Sequence, residues 1–161
     1  ALAATGATPA ELSWRAGVDV LSLGGTKNGL LAAEALVLFD PAKAWEAELR
    51  RKRAGHLNSK LRFVAAQFEA WFSNDLWLTL ARHANTMAAR LATGLAQVPG
   101  AEILHSTPAN ILFARLPEAA HARAKAAGAV YYQSDDTMCR LVASWSTTED
   151  DVDALLAAFK S

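Results

Sequence analysis

One cysteine in 161 residues, Cys139, is too few for an internal disulfide, which excludes a cross-linked secreted mini-domain and fits a reducing, cytoplasmic setting. Charge of one sign is missing as well. Sixteen Lys and Arg balance 16 Asp and Glu, so a general nucleic-acid or anionic-membrane binder has no driving field, and neither partner is expected. Apolar runs such as Ala32 to Phe39 are broken by charge far short of the roughly 20 residues that cross a bilayer, so no membrane span is expected. The four histidines, His56, His83, His105 and His121, lack the i, i+4 pairing or nearby cysteines of a metal site, and no metal is expected. Repeats and low-complexity tracts are absent. What is present is an alanine-rich, 52% apolar, 20% charged chain of about one domain's length, ordinary globular usage that leans toward helix.

Local signals divide the chain. Thr8-Pro9-Ala10-Glu11 spells a capping box with proline at the first helical position, predicting a short helix that ends at Gly17. Val18–Leu23 and Glu34–Phe39 are apolar, β-rich runs that predict two strands around a loop, Gly24-Gly25-Thr26-Lys27-Asn28-Gly29. Asp40-Pro41 is a cap and first-turn signal, after which the pattern is helical to about Gly94, with a break at Gly55. Leu61, Val64, Ala65, Phe68, Trp71 and Phe72 form one apolar helical face, and Leu76, Leu80, Ala84, Met87, Leu91 and Leu95 form another, with Asn74-Asp75 as the expected cap between them. Strands are expected over Asn110–Leu116, Val130–Tyr132 and Met138–Trp145, a short helix from Pro117 to Gly128, and a terminal helix opened by Thr148 and three acids.

Three residues stand out for chemistry. Lys27 lies between Gly25-Thr26 and Asn28-Gly29, where the backbone can approach a ligand and a primary amine suits an imine with a carbonyl; the alternative is a solvent-facing turn lysine. Arg140, in an apolar strand, can grip a carboxylate with both arms of its guanidinium, or else pair with Asp135 or Asp136. Thr26 can hydrogen-bond a cofactor or a neighbouring backbone group. Arg50–Arg53 reads as a solvated helix end rather than a nucleic-acid patch, and Cys139 as a small buried hydrophobe.

The segment Thr26-Lys27-Asn28-Gly29 after a strand resembles the cofactor-lysine segment of the low-specificity L-threonine aldolases, in the bacterial branch that includes phenylserine aldolases. Trp14-Arg15-Ala16-Gly17-Val18-Asp19-Val20-Leu21-Ser22 is similar too, as are Arg51–His56, Ser59–Phe63, Asp75-Leu76-Trp77 with Ala81–Asn85, and Arg140-Leu141-Val142-Ala143-Ser144-Trp145. Together these cover nearly the whole chain in order.

The resemblance implies an α/β protein, the C-terminal part of a fold-type I pyridoxal-phosphate enzyme with the aspartate-aminotransferase-like fold. Residues 1–40 would be the end of its large, cofactor-binding domain and 41–161 its small α+β domain. It further implies pyridoxal 5'-phosphate held by Lys27 with Thr26 beside it, Arg140 on the substrate carboxylate, and cleavage of L-threonine, L-allo-threonine or related β-hydroxy-α-amino acids to glycine and an aldehyde. A cytoplasmic homo-oligomer, dimer or tetramer, is the implied assembly. The phosphate loop, ring-stacking histidine and pyridine-nitrogen aspartate of the family have no counterpart ahead of Lys27. The chain, which opens without methionine, is therefore expected to be an inactive fragment that presents an exposed sheet edge and associates with a missing N-terminal half. Another fold-type I lyase or transaminase, and a non-catalytic assembly module, are the alternatives.

Overall fold

The computed structural model describes residues 1–160, which form two compact units, one of residues 4–79 and one from Leu80 onward. A single helical turn, α1 (Leu2–Thr5), opens the chain without any signal in the sequence. In the first unit the Thr8–Glu11 box forms as expected: Thr8 N donates to Glu11 Oε2 at 2.8 Å, and Glu11 N to Thr8 Oγ1 at 3.3 Å. The helix it was expected to open does not follow. Residues 9–13 are turns, leading to one 3-10 turn, Trp14–Ala16, before Gly17. Ser13 Oγ, itself buried, donates to Pro9 O at 2.6 Å, the kind of side-chain bond that competes with helix in a segment this short.

Strands β1 (Val20–Gly24) and β2 (Glu34–Leu38) pair antiparallel, Val20 opposite Leu38 and Gly24 opposite Glu34. They are a two-stranded ribbon with Val20 and Leu36 exposed. Asp40 then accepts from Ala42 N at 3.0 Å and, with Pro41, starts the turn into α2 (Ala44–Arg53), whose basic last turn is exposed to solvent. Helix α3 (Leu61–Phe72) follows. The expected Asn74-Asp75 cap is absent, because neither side chain bonds a helix N–H. Instead both residues take left-handed backbone, φ 52° and 55°, which Asn and Asp tolerate best, and so make the corner into α4 (Leu76–Leu95).

In the unit from Leu80 onward, β3 (Glu102–Ile103), β4 (Ile111–Arg115), β5 (Tyr132–Gln133) and β6 (Met138–Val142) form an antiparallel sheet of order β3-β4-β6-β5. The two-residue β3 left no sequence signal, and the strand expected at Val130–Tyr132 begins only at Tyr132. Alternate residues Leu112, Ala114, Cys139 and Leu141 face inward and meet α4, α5 (Glu118–Ala126) and α6 (Glu149–Lys160) through Leu91, Leu95, Ala120, Ala124, Val152 and Phe159. Gly94 gives Leu156 of α6 its place against α4, since a Cβ there would collide with the Leu156 side chain and force it to move. The buried His121 donates from Nε2 to Thr137 O at 2.9 Å, and its Nδ1 shares a 2.8 Å hydrogen bond with the Tyr131 hydroxyl, whose pKa burial pushes up to about 12.

Helix α6 starts on a second reciprocal box: Thr148 N donates to Asp151 Oδ2 at 2.8 Å, and Asp151 N to Thr148 Oγ1 at 3.1 Å. Arg90 of α4 grips Asp153 bidentately, at 2.7 and 3.1 Å. The Thr148 bonds hold the Asp151 carboxyl below the usual aspartate range, and the Arg90 bond does the same for Asp153. A carboxyl lowered in the folded state contributes stability above its unfolded value, near pH 4, and loses it as pH falls through the lowered one. The urea midpoint of the wild type is therefore expected to drop below about pH 4, and the double variant Asp151→Asn/Asp153→Asn to have a shallower acid limb. Equal acid slopes in the two proteins would contradict this.

Candidate functional site

Lys27 sits on a single 3-10 turn, Thr26–Asn28, that leaves the end of β1. Its amine is exposed and has neither a hydrogen bond nor an ion pair. The turn around it is built tightly. A Cβ at Gly25 would strike the Leu30 side chain and crowd the Ala33 carbonyl, so any larger residue at the position two before the lysine must displace Leu30. Gly25 O accepts from both Asn28 N (2.9 Å) and Leu30 N (3.1 Å), and Gly25 N donates to Ala33 O at 2.9 Å.

Helix α3 clasps this loop. Gln67 and Trp71, one helical turn apart on one face, reach it at two places: Gln67 Oε1 accepts from Leu31 N at 2.9 Å, and Trp71 Nε1 donates to Asn28 O at 2.8 Å. Asn28 Nδ2 donates in turn to Trp77 O at 2.9 Å. The residue next to Lys27 is thus tied by backbone and side chain to an aromatic cluster of Phe68, Trp71, Phe72 and Trp77, with ring centroids 5.2–6.1 Å apart. Gln67, Trp71 and Asn28 escaped the sequence reading as site residues. In the sequence Trp71 is one apolar position on a helical face, and Asn28-Gly29 is part of the loop and motif around Lys27 with no role of its own.

Thr26 Oγ1 accepts from Ala33 N at 3.3 Å, the backbone bond expected as its alternative role, and its own proton remains free to donate. Arg140, in β6, is exposed and forms no ion pair with Asp135 or Asp136. Asp135 is occupied instead by Thr137 N at 2.8 Å and Met138 N at 2.6 Å, bonds that hold its carboxyl below the usual range. The Arg140 guanidinium lies 5.2 Å over the Tyr132 ring. Cys139 beside it points into the core, and burial pushes its thiol up to about 11, which leaves it inert at neutral pH. Among the described residues no three His, Cys, Asp or Glu side chains gather as metal ligands, and no helix is long and apolar enough to cross a membrane.

No family model matches the sequence. The chain is 43% identical over 148 residues to the low-specificity L-threonine aldolase of Pseudomonas aeruginosa, an alignment covering 91% of this chain and 43% of that protein. With the low-specificity L-threonine aldolase of a Pseudomonas sp. it shares 38% identity over 162 residues, all of this chain and 47% of that one. The chain therefore spans less than half the length of the curated relatives it matches. In structure it resembles a threonine aldolase from Leishmania major, with a TM-score of 0.76 and 29% identity over 89% of this chain and 43% of that one. A glycine decarboxylase (P-protein) of the glycine cleavage system shares the fold, at TM-score 0.51 and 18% identity over 88% of this chain and 34% of that one. The α/β fold class implied by the motifs is that of these neighbours, and over nearly its whole length the chain is a relative of the low-specificity L-threonine aldolases.

Proposed function

We propose that the chain carries the cofactor-lysine and carboxylate-binding parts of a pyridoxal-phosphate-dependent aldolase, which cleaves L-threonine, L-allo-threonine or related β-hydroxy-α-amino acids to glycine and an aldehyde. The observation that carries the proposal is the Lys27 turn: an exposed, unpartnered primary amine on backbone fixed by Gly25 and by the Trp71–Asn28 bond, in a chain 43% identical to a low-specificity L-threonine aldolase. The residues present fit the attachment point of pyridoxal phosphate. The amine has no partner to give up before it could hold the cofactor, and the turn fixes the backbone that presents it.

In this reading Lys27 Nζ holds the cofactor, and the Thr26 hydroxyl keeps a proton to donate to it while accepting from Ala33 N. Arg140 receives the substrate α-carboxylate through two parallel N–H···O bonds, which orients the amino acid. When bound, the cofactor supplies an electron sink for the pair left on Cα. The balance is simple: the Cα–Cβ bond breaks, the β-hydroxyl loses its proton as the aldehyde carbonyl forms, and one proton arrives at Cα to give glycine.

The same proposal takes residues 1–40 as the end of the large cofactor domain and 41–161 as the small domain of a cytoplasmic homo-oligomer, dimer or tetramer. The exposed Val20 and Leu36 on a bare two-stranded ribbon support a further partner there, the N-terminal half of the enzyme. Borohydride reduction in the presence of pyridoxal phosphate, with peptide mapping by mass spectrometry, is expected to place a phosphopyridoxyl group on Lys27. With peptides of the N-terminal half present in the same preparation, an adduct confined to other lysines, or none, would overturn the assignment; without them, the absence of an adduct marks an orphaned half that has lost its chemistry. Turnover of β-hydroxy amino acids, rather than amino transfer to keto acids, separates an aldolase from a transaminase.

A further inference from the structure

Arg140 stands in the middle of a cross-strand row. The register sets Phe113 of β4 opposite it on one side and Tyr132 of β5 opposite it on the other. Directly opposed residues of antiparallel strands share a face, and here it is the face turned away from the core, with Ile111, Phe113, Val142 and Tyr132 41–62% exposed. On that face the guanidinium has no carboxylate partner, Asp135 being spent on its own turn. It is laid 5.2 Å over the Tyr132 ring instead. The Phe113 ring in turn meets His105 edge-to-face at 6.0 Å, so the arginine has an aromatic residue opposite it on both neighbouring strands.

We propose that Tyr132 is the positioning residue for Arg140, its ring lying against the guanidinium so that the N–H fork is held ready for a substrate carboxylate. This rests on the reading of Arg140 as the carboxylate ligand given above. The cation–π contact takes up none of the guanidinium's N–H donors, which make no other hydrogen bond and stay free for a bidentate partner. Part of the rotamer freedom that carboxylate binding would otherwise remove is already restricted in the free protein. The ring supplies the effect and the hydroxyl does not, because the Tyr132 hydroxyl makes no hydrogen bond.

The test pairs steady-state kinetics on L-threonine in the holoenzyme with the NMR signal of the Arg140 Nε–Hε group, in Tyr132→Leu, Tyr132→Phe and Arg140→Gln. Tyr132→Leu is expected to raise KM about two- to fivefold, the fold-change of an exposed cation–π contact, with kcat unchanged. The ring-shifted Nε–Hε signal should move to the position of a free arginine in Tyr132→Leu, and both readouts should return to wild type in Tyr132→Phe. An unmoved signal in Tyr132→Leu, or equal KM changes in the Leu and Phe variants, would overturn the positioning role. Arg140→Gln separates the two readings. If it raises KM while Tyr132→Leu does not, only the positioning role fails; if it leaves KM unchanged, the carboxylate reading fails and takes this one with it.

Discussion

In the enzyme completed by its N-terminal half, Lys27→Ala is expected to abolish aldol cleavage, with a loss on the order of 10²-fold or more, because the cofactor's covalent attachment goes with the amine. The melting curve should not move. Lys27 is exposed and partnerless, so truncating it opens no cavity, breaks no bond and leaves no buried group unpaired. That combination, full loss of chemistry at unchanged stability, is what distinguishes a reacting amine from a structural lysine. Lys27→Arg sharpens the test, because it keeps the positive charge but cannot form an imine under the same conditions. If the charge merely attracts an anionic ligand, the arginine variant retains most of the activity. If the amine reacts, it is as inactive as the alanine variant. Cleavage within tenfold of wild type in either variant would remove Lys27 from the chemistry.

The turn that holds Lys27 was legible in the sequence because its determinants are local. Two glycines before the lysine, an Asn-Gly pair after it and an apolar run on each side specify strand, turn and strand within twenty residues, and β1 and β2 appear where those runs predict them. The apolar stripes of α3 and α4 were readable for the same reason, since helical spacing is a near-neighbour signal. The rest depends on distance along the chain. Gln67 and Trp71 bond residues 36 and 43 positions away, and a tryptophan on an apolar stripe reads as core whether or not its N–H has a partner.

Arg140 illustrates the same limit from the other direction. Nearby Asp135 made an ion pair plausible, yet the backbone amides of Thr137 and Met138 claim that carboxylate, an outcome of turn geometry that residue types alone do not reveal. At Thr8–Glu11 the local signal was correct and the element inferred from it was not. The capping box formed, but with Gly17 so near, the segment is too short to repay helix nucleation.

Trp71 should be the most costly single truncation in the first unit, and its effect should reach the lysine. It is 3% exposed, it touches Phe68, Phe72 and Trp77, and its indole N–H meets the carbonyl of Asn28. Trp71→Ala removes the packing and the bond together, for an expected loss of about 3–5 kcal/mol by urea denaturation. Trp71→Phe keeps most of the apolar volume and leaves the Asn28 carbonyl without its donor, for about 1–3 kcal/mol, toward the lower end because Asn28 is only half-buried. The two variants therefore separate packing from anchoring. In Trp71→Phe the fold persists while the turn loosens, so hydrogen exchange at the Asn28 and Leu30 amides, both bonded to Gly25 O, should accelerate ahead of the amides of β2. Pyridoxal phosphate affinity should fall in parallel, since an attachment point that wanders must be ordered again on binding. Wild-type stability in Trp71→Ala, or unchanged Asn28 and Leu30 exchange in Trp71→Phe, would show that the clasp from α3 does not hold the lysine turn in place.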